Sequence, residues 1–147
     1  MNRNKRILVA VDDSKASMRA VNYVANIIAG KRDFTICLLH VLGPLPPALR
    51  EFGGSEDPQR EEELEKELED KRRQWIERSK TKALPVLKKA KSIFTKARLP
   101  AKAVDAKFWI DVDSKGLAAD ILDAGRSNKC DTVAVGRESF SWLKEIF

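Results

Sequence analysis

The stretch I-L-V-A-V-D-D-S, at positions 7–14, decides the fold of this chain. Its apolar run, extended to residues 6–12, is rich in branched side chains and predicts a strand buried on both faces of a parallel sheet. After the carboxylates, apolar residues recur at helical spacing; Asp13 or Ser14 can cap this helix and Gly30 can end it. A second apolar run, F-T-I-C-L-L-H-V at 34–41, predicts another strand. This order predicts a right-handed βαβ unit and a parallel sheet.

The remaining sequence continues the alternation of strands and helices. Residues 43–58 hold four of the six prolines and predict a long loop. A helical pattern follows from about residue 59, where Pro85 predicts either one kinked helix or two in succession. Residues 103–110 and 131–136 predict two more strands with a helix between them, and a fourth helix begins at Ser139. The predicted fold class is therefore α/β: a doubly wound, mostly parallel open sheet with helices on both faces.

Length and composition limit the domain count and the location. A chain of 147 residues with 43% hydrophobic content predicts a single domain, residues 1–147. No apolar stretch approaches the roughly 20 residues that cross a bilayer, and no signal pattern precedes the first strand, so we expect a cytoplasmic protein without a membrane partner. Cys37 and Cys130 lie far apart in the sequence and lack metal-ligand spacing. They are predicted to be buried thiols in a reducing compartment.

The net charge of +6 raises the question of a nucleic-acid partner. Its distribution argues against one, because residues 61–70 are mostly acidic and residues 71–98 are mostly basic along one helical segment. A solvated helix surface explains such a pattern without a ligand, so nucleic-acid binding is not expected.

The predicted strand ends indicate where a ligand would bind. In open α/β sheets, ligands bind outside the carboxyl ends of the strands. Here those ends are Asp12-Asp13, Val41-Leu42 and residues 136–139. Helices follow the first and last of these ends directly, and helix N-termini favour anions. The sequence therefore predicts a phosphate or nucleotide site at this edge.

The chemistry of Asp12-Asp13 has competing interpretations. An acidic pair can hold magnesium beside a phosphoacceptor aspartate, but the second strand ends in H-V-L-G and supplies no such aspartate. The simpler interpretation is that Asp13 caps the helix and Asp12 forms the turn. His40, the single histidine, is expected to be buried and hydrogen-bonded. No catalytic residue and no metal ligand are predicted.

Three segments carry a resemblance to a known family: I-L-V-A-V-D-D-S-K-A-S, L-L-H-V before the long loop, and D-T-V-A-V-G-R-E-S near the end. In this order and spacing the chain resembles the universal stress protein family over nearly its whole length. The resemblance implies a five-stranded doubly wound sheet, homodimers in many members and bound ATP in one subgroup.

The resemblance also implies a set of nucleotide-binding residues. The adenine-binding turn falls on residues 10–12, and the contact from the second strand falls on Val41. In the phosphate motif G-x-x-G, nine residues, G-[S/T], Gly136 matches the first glycine, whereas Ser139 replaces the second and adds a Cβ where backbone approaches phosphate. The chain ends before the last part of the motif, so we expect a domain truncated at its C-terminal helix and strand. The full expected set is Ala10, Val11, Asp12, Asp13, Val41, Val135, Gly136 and Ser139.

Three functions are compatible with this sequence. The first is a non-enzymatic stress-response module whose altered pocket takes ATP with magnesium. The second is an interaction domain that dimerises, or binds another protein, through residues 59–98 and ignores nucleotide. The third is a slow ATP hydrolase.

Overall fold

The computed structural model describes residues 4–50, 54–110 and 116–136. In chain order the elements are β1 (Lys5–Ala10), α1 (Lys15–Ile28), β2 (Phe34–Leu42), α2 (Pro47–Arg50), α3 (Pro58–Lys96), a 3₁₀ turn (Ala101–Ala103), β3 (Val104–Ile110), α4 (Leu117–Ser127) and β4 (Thr132–Val135). The four strands form one parallel open sheet in the order β3-β2-β1-β4. This confirms the predicted α/β class, while the predicted fourth helix lies outside the described residues.

β1 is a central strand with a neighbour on each side. Its Ala10 pairs with Leu39 of β2 and with Val135 of β4. Helices cover both faces of the sheet, so Leu8, Val9 and Ala10 have no exposed surface. Burial on both faces explains why this strand is a continuous apolar run instead of an alternating one.

The helices divide the interior into two cores. α1 and α3 cover one face of the sheet, where Val9, Leu38 and Phe94 lie in the same cluster. α4 covers the other face, where Leu8 and Cys37 pack in the same cluster as Ile121. The structure is thus a three-layer α/β sandwich, as the helical periodicities predicted.

α1 begins with a side-chain cap at Ser14. The Ser14 Oγ accepts a hydrogen bond from the backbone N–H of Ser17 at 3.0 Å, which satisfies one of the helix's orphan donors. Asp12 forms the preceding turn, since its Oδ1 accepts from the Ser14 N–H at 2.9 Å. Of the two capping candidates Ser14 is therefore the cap, and the assignment of this role to Asp13 is wrong.

α3 is one helix of 39 residues that runs through Pro85. Asp57 caps its start, and its buried residues are confined to the second half: Ala83, Leu87, Ala90 and Phe94. Pro85 is exposed, so its ring points away from the core. This resolves the choice between one helix and two in favour of one.

The short helix α2 lies inside the segment predicted to be a loop. The guanidinium of Arg72 on α3 donates hydrogen bonds to the backbone carbonyls of Leu49 and Arg50, the latter at 3.0 Å. These bonds satisfy carbonyls at the end of α2 and attach the segment to α3. A single turn stabilised by a residue 22 positions away leaves no periodic signal in the sequence.

The two cysteines lie on the α4 side of the sheet. Cys37 is 1% exposed, and Cys130 packs at the border of the same core. Burial raises the pKa of the Cys37 thiol to about 11, with a further contribution from Cys130, and burial also raises the pKa of Cys130. The prediction of a buried thiol is confirmed for Cys37, whereas Cys130 is half-buried.

Candidate functional site

The carboxyl ends of three neighbouring strands meet at one edge of the sheet. Because Ala10 pairs with both Leu39 and Val135, the residues that follow these positions lie at the same level. They are Val11-Asp12 after β1, His40-Val41 in β2 and Gly136 after β4. The structure therefore brings the predicted strand-end residues to one edge, with about 4.8 Å between adjacent strands.

The turn after β1 is fixed by its own hydrogen bonds. The Val11 N–H donates to the carbonyl of Leu39 at 2.8 Å, and the Asp12 N–H donates to the Oγ of Ser17 at 2.9 Å. Ser17 has no exposed surface, and its Oγ accepts this bond at the edge of the α1–α3 core. Together with the bond from Ser14 to Asp12, these contacts hold the position of the Asp12 carboxylate before any ligand arrives.

His40 connects the second strand to this turn. Its Nδ1 lies 2.9 Å from the carbonyl oxygen of Val11, and since a carbonyl only accepts, Nδ1 carries the hydrogen. In the neutral ring, Nε2 is then an acceptor. The ring also meets Phe108 edge-on, with 6.3 Å between the ring centroids. The predicted hydrogen-bonded histidine is confirmed, but it is half-buried because one side of it lines a cleft.

That cleft has a volume of about 280 Å³ and lies between the strand ends and α3. Carboxylates from Asp12 and Asp13 stand on the strand side, and Lys82 stands on the helix side. The sequence interpretation did not assign Ser79 or Lys82 to the site. The signal that could have indicated these two residues is the helical spacing of the sequence, which places Ser79 and Val86 on the side of α3 that faces the sheet. The full lining is Asp12, Asp13, His40, Leu42, Gly43, Ser79, Lys82, Ala83 and Val86.

The remaining expected residues lie elsewhere along the same edge. Val135 and Gly136 line a second cleft of about 500 Å³ between α1 and β4, whose other lining residues are Ala16, Arg19, Ala20, Tyr23, Val24, Val133 and Ala134. Ala10 and Val11 have no exposed surface, and Val41 is 4% exposed, so their side chains belong to the core. Only their backbone groups are available to a ligand at the strand ends. Ser139 lies outside the described residues.

Two features are absent from the described part of the chain: a metal-binding cluster and a membrane-spanning helix. This part contains no group of three or more His, Cys, Asp or Glu side chains placed to hold a metal ion. Among the described residues, Asp12 and Asp13 are the carboxylates that line the first cleft. None of the described helices is both long and apolar enough to span a bilayer.

Comparison with known proteins identifies the family of this chain. A statistical description of the universal stress protein family matches residues 3–147. Among solved structures, a universal stress protein family member from Burkholderia pseudomallei superimposes with a TM-score of 0.62 at 16% identity, over 97% of this chain and 90% of that one. A universal stress protein in complex with cAMP gives 0.57 at 12% identity, over 89% and 75%.

A third solved structure from the family also shares the fold. The universal stress protein UspA from Lactobacillus plantarum gives a TM-score of 0.53 at 16% identity, over 94% of this chain and 82% of that one. No curated protein sequence matches significantly. At these identities the solved structures support the fold, and the family match over nearly the whole sequence supports the assignment. The chain belongs to the universal stress protein family.

Proposed function

We propose that this protein is a non-enzymatic, cytoplasmic stress-response module that binds an adenine nucleotide at the carboxyl ends of β1, β2 and β4. The observation that carries the proposal is the cleft beside Asp12, which lies at the sheet edge where open α/β folds bind ligands. A structural neighbour of the same family is described as a complex with cAMP, which supports an adenine nucleotide as the ligand class.

The size of the cleft indicates which part of a nucleotide it takes. Pockets for drug-sized ligands measure about 300–1,000 Å³, so a cleft of about 280 Å³ suits a nucleoside better than a whole nucleoside triphosphate. In this proposal the adenosine half lies against Asp12 and His40. The phosphates extend across β1 toward Gly136, about one strand spacing away.

The charges in the wall are suited to this orientation. The Asp12 carboxylate faces the cleft and accepts hydrogen bonds from ribose hydroxyls or from the adenine amino group. Lys82, on the opposite wall, lies beside the adenosine half, where its ammonium can donate a hydrogen bond to an acceptor of the nucleoside and its positive charge favours an anionic ligand. Binding alone is proposed, and nucleotide turnover is no part of the function.

Regulation would act through residues 43–69, the segment that begins at the cleft. Gly43 lines the cleft at the start of the segment, and Arg72 attaches α2 to α3 further along. Nucleotide binding then shifts the population of this segment toward one arrangement that a partner protein recognises. Hydrogen exchange of residues 43–69 should slow with saturating ligand, and unchanged exchange there would contradict this mechanism.

Isothermal titration of the purified chain against ATP, ADP, AMP and cAMP, with and without magnesium, tests the binding. We expect a dissociation constant below about 100 μM, or about −5.5 kcal/mol, for at least one nucleotide. Asp12→Asn keeps an oxygen for the Ser14 N–H but removes the charge, and Lys82→Gln removes the opposite charge. Both should weaken binding about tenfold.

Lys88→Gln is the matched control for Lys82→Gln, because Lys88 is exposed on α3 and lies outside the cleft. It should leave the affinity unchanged. Absence of heat with all four nucleotides would overturn the proposal. Binding that ignores Asp12→Asn and Lys82→Gln would place the nucleotide away from this cleft and overturn the proposed site.

The alternative function is a protein-interaction module that does not bind nucleotide. The observation that favours it is the first half of α3, which carries no buried residue before Ala83. The exposed side of this helix half offers a large contact surface. A stable complex that forms equally with and without nucleotide would support this alternative.

A further inference from the structure

The first half of α3 is a long helix that contacts the rest of the described structure along one side only. Residues 59–82 span about 36 Å at 1.5 Å per residue, and none of them is buried. A helix that meets its own domain only through half-buried residues gains less stability from tertiary packing, which is the main source of helix stability in proteins. Its surface therefore needs either internal charge pairs or a partner.

The charges of this segment fall into two blocks of opposite sign. Residues 59–70 hold seven acidic and two basic side chains, a net charge of −5. Residues 71–82 hold six basic and one acidic side chain, a net charge of +5. The blocks are equal in length and opposite in charge, and they meet between Asp70 and Lys71.

Ion pairs within the helix use only part of this charge. Along the described segment the structure shows Arg60–Glu63, Lys66–Glu62 and Arg73–Asp70, with all six side chains at least 55% exposed. Pairs of this kind in water contribute little each. In the basic block, Arg72 and Lys80 are engaged with the body of the domain and Lys82 lines the cleft, whereas Lys71 and Arg78 are exposed.

We infer that residues 59–82 of α3 pair antiparallel with the same segment of a second copy of this chain. A two-fold axis between Asp70 and Lys71 places the acidic block of each copy against the basic block of the other. The contact is then self-complementary, as a two-fold symmetric interface requires. A parallel arrangement would instead place like charges opposite each other.

The two-fold axis also sets the register of individual contacts. Position 63 of one copy lies opposite position 78 of the other, which pairs Glu63 with Arg78. Position 70 lies opposite position 71, which pairs Asp70 with Lys71 at the centre. Helices pack with their axes about 8–10 Å apart, a distance that these side chains can bridge.

Two charge-reversal variants of the full chain test this pairing. The first variant carries Glu63→Lys and Asp70→Lys, and the second carries Lys71→Glu and Arg78→Glu, so each altered position of one variant lies opposite an altered position of the other. All four side chains are exposed, so both variants should fold, which circular dichroism would verify. Lys88→Glu with Lys91→Glu is the matched control, because these exposed lysines lie on α3 beyond the paired blocks.

Sedimentation velocity at low salt measures the outcome. The unaltered chain and the control should dimerise, each variant alone should dimerise at least tenfold more weakly, and an equimolar mixture of the two variants should recover a heterodimer. Raising the salt to 0.5 M should weaken the dimer, because salt screens exposed charges.

Other results would overturn the inference. A monomeric unaltered chain, or a dimer that is insensitive to both variants, as one formed at the β4 edge would be, contradicts it. Loss of dimer without recovery in the mixture contradicts the antiparallel arrangement. None of these substitutions alters a residue that lines the nucleotide cleft. A negative dimerisation test therefore leaves the nucleotide proposal standing, and a negative titration leaves the dimer proposal standing.

Discussion

The Nδ1 of His40 donates a hydrogen bond to the carbonyl oxygen of Val11 across 2.9 Å, which joins the second strand to the turn after the first. This carbonyl lies just beyond the last paired residue of β1, Ala10, where the sheet no longer supplies all of its backbone partners. The imidazole thus acts as a side-chain extension of the β1–β2 ladder and supports the turn that positions Asp12.

Replacement of His40 tests the value of this bond. His40→Leu removes the N–H donor, so the partly buried carbonyl of Val11 loses this hydrogen bond. The free energy of unfolding should therefore fall by about 1–2 kcal/mol. His40→Asn places an amide N–H near the position of Nδ1 and should recover part of the loss. Urea unfolding followed by circular dichroism measures both. Equal stability of the leucine and asparagine variants would mean that the hydrogen bond contributes nothing.

The Ser14 cap gives a second prediction. Ser14→Ala leaves the Ser17 N–H without its side-chain acceptor and should lower the free energy of unfolding by about 1 kcal/mol. Ser14→Asp retains a capping oxygen and should stay close to the unaltered chain. Thermal unfolding compares the two variants. The assignment of Ser14 as the cap fails if aspartate destabilises as much as alanine does.

Pro85 should be a destabilising residue inside α3. Proline lacks the N–H that would bond the carbonyl of Thr81, and its ring crowds that carbonyl. Because position 85 is exposed, Pro85→Ala restores the helical bond without disturbing the core. It should raise the free energy of unfolding by up to about 3 kcal/mol.

Leu84→Ala at the neighbouring position is the control for Pro85→Ala. Leu84 is 43% exposed, and its truncation should change the free energy of unfolding by less than about 1 kcal/mol. If Pro85→Ala leaves the free energy of unfolding in urea unchanged or lowers it, Pro85 does not destabilise the helix and the prediction is wrong.

Cys37 predicts a loss of stability at high pH. Burial raises its pKa from 9.0 to about 11, so between these values the unfolded chain releases a proton that the folded chain retains. The unfolded state then binds fewer protons, and stability falls as pH rises. The contribution is fully present below pH 9 and is lost by about pH 11, with a total of roughly 2–3 kcal/mol.

The measurement is urea unfolding from pH 8 to 11 for the unaltered chain and for Cys37→Ala. The alanine variant is expected to be less stable at pH 8, because it leaves a small void, but to lose less stability as pH rises. Titrating groups that do not interact with Cys37 are common to both proteins and cancel in the difference, whereas Cys130 is coupled to Cys37 and contributes to it. Parallel pH profiles for the two proteins would exclude the proposed linkage.

Local patterns in the sequence predicted most of the fold. The four strands lie within one or two residues of their predicted positions, because each is a run of apolar residues long enough to show its period. α2 was missed, since its single turn depends on a hydrogen bond from Arg72, far along the chain. Pro85 left the number of helices open, and packing of residues on both sides of it, such as Ala83 and Leu87, maintains one helix.

The candidate site was less accessible to sequence reasoning. Strand ends predicted at which edge of the sheet a ligand would bind, because parallel strands present all their carboxyl ends together. The division of that edge into two clefts depends on the face of the sheet on which each side chain lies. Lys82 lines the first cleft only because α3 crosses the strand ends. Contacts between distant segments of this kind have no local signature.

The position of β1 between β2 and β4 also affects how the chain folds. The N–H of Arg6 donates to the carboxylate of Asp131, which is 125 positions away, and β1 cannot complete both of its ladders until that late segment arrives. Closure of so long a loop has a large entropic cost before any contact compensates for it. Folding should therefore be slow for a chain of this size, and a nascent chain still lacking β4 would hold its central strand with one edge unpaired during synthesis.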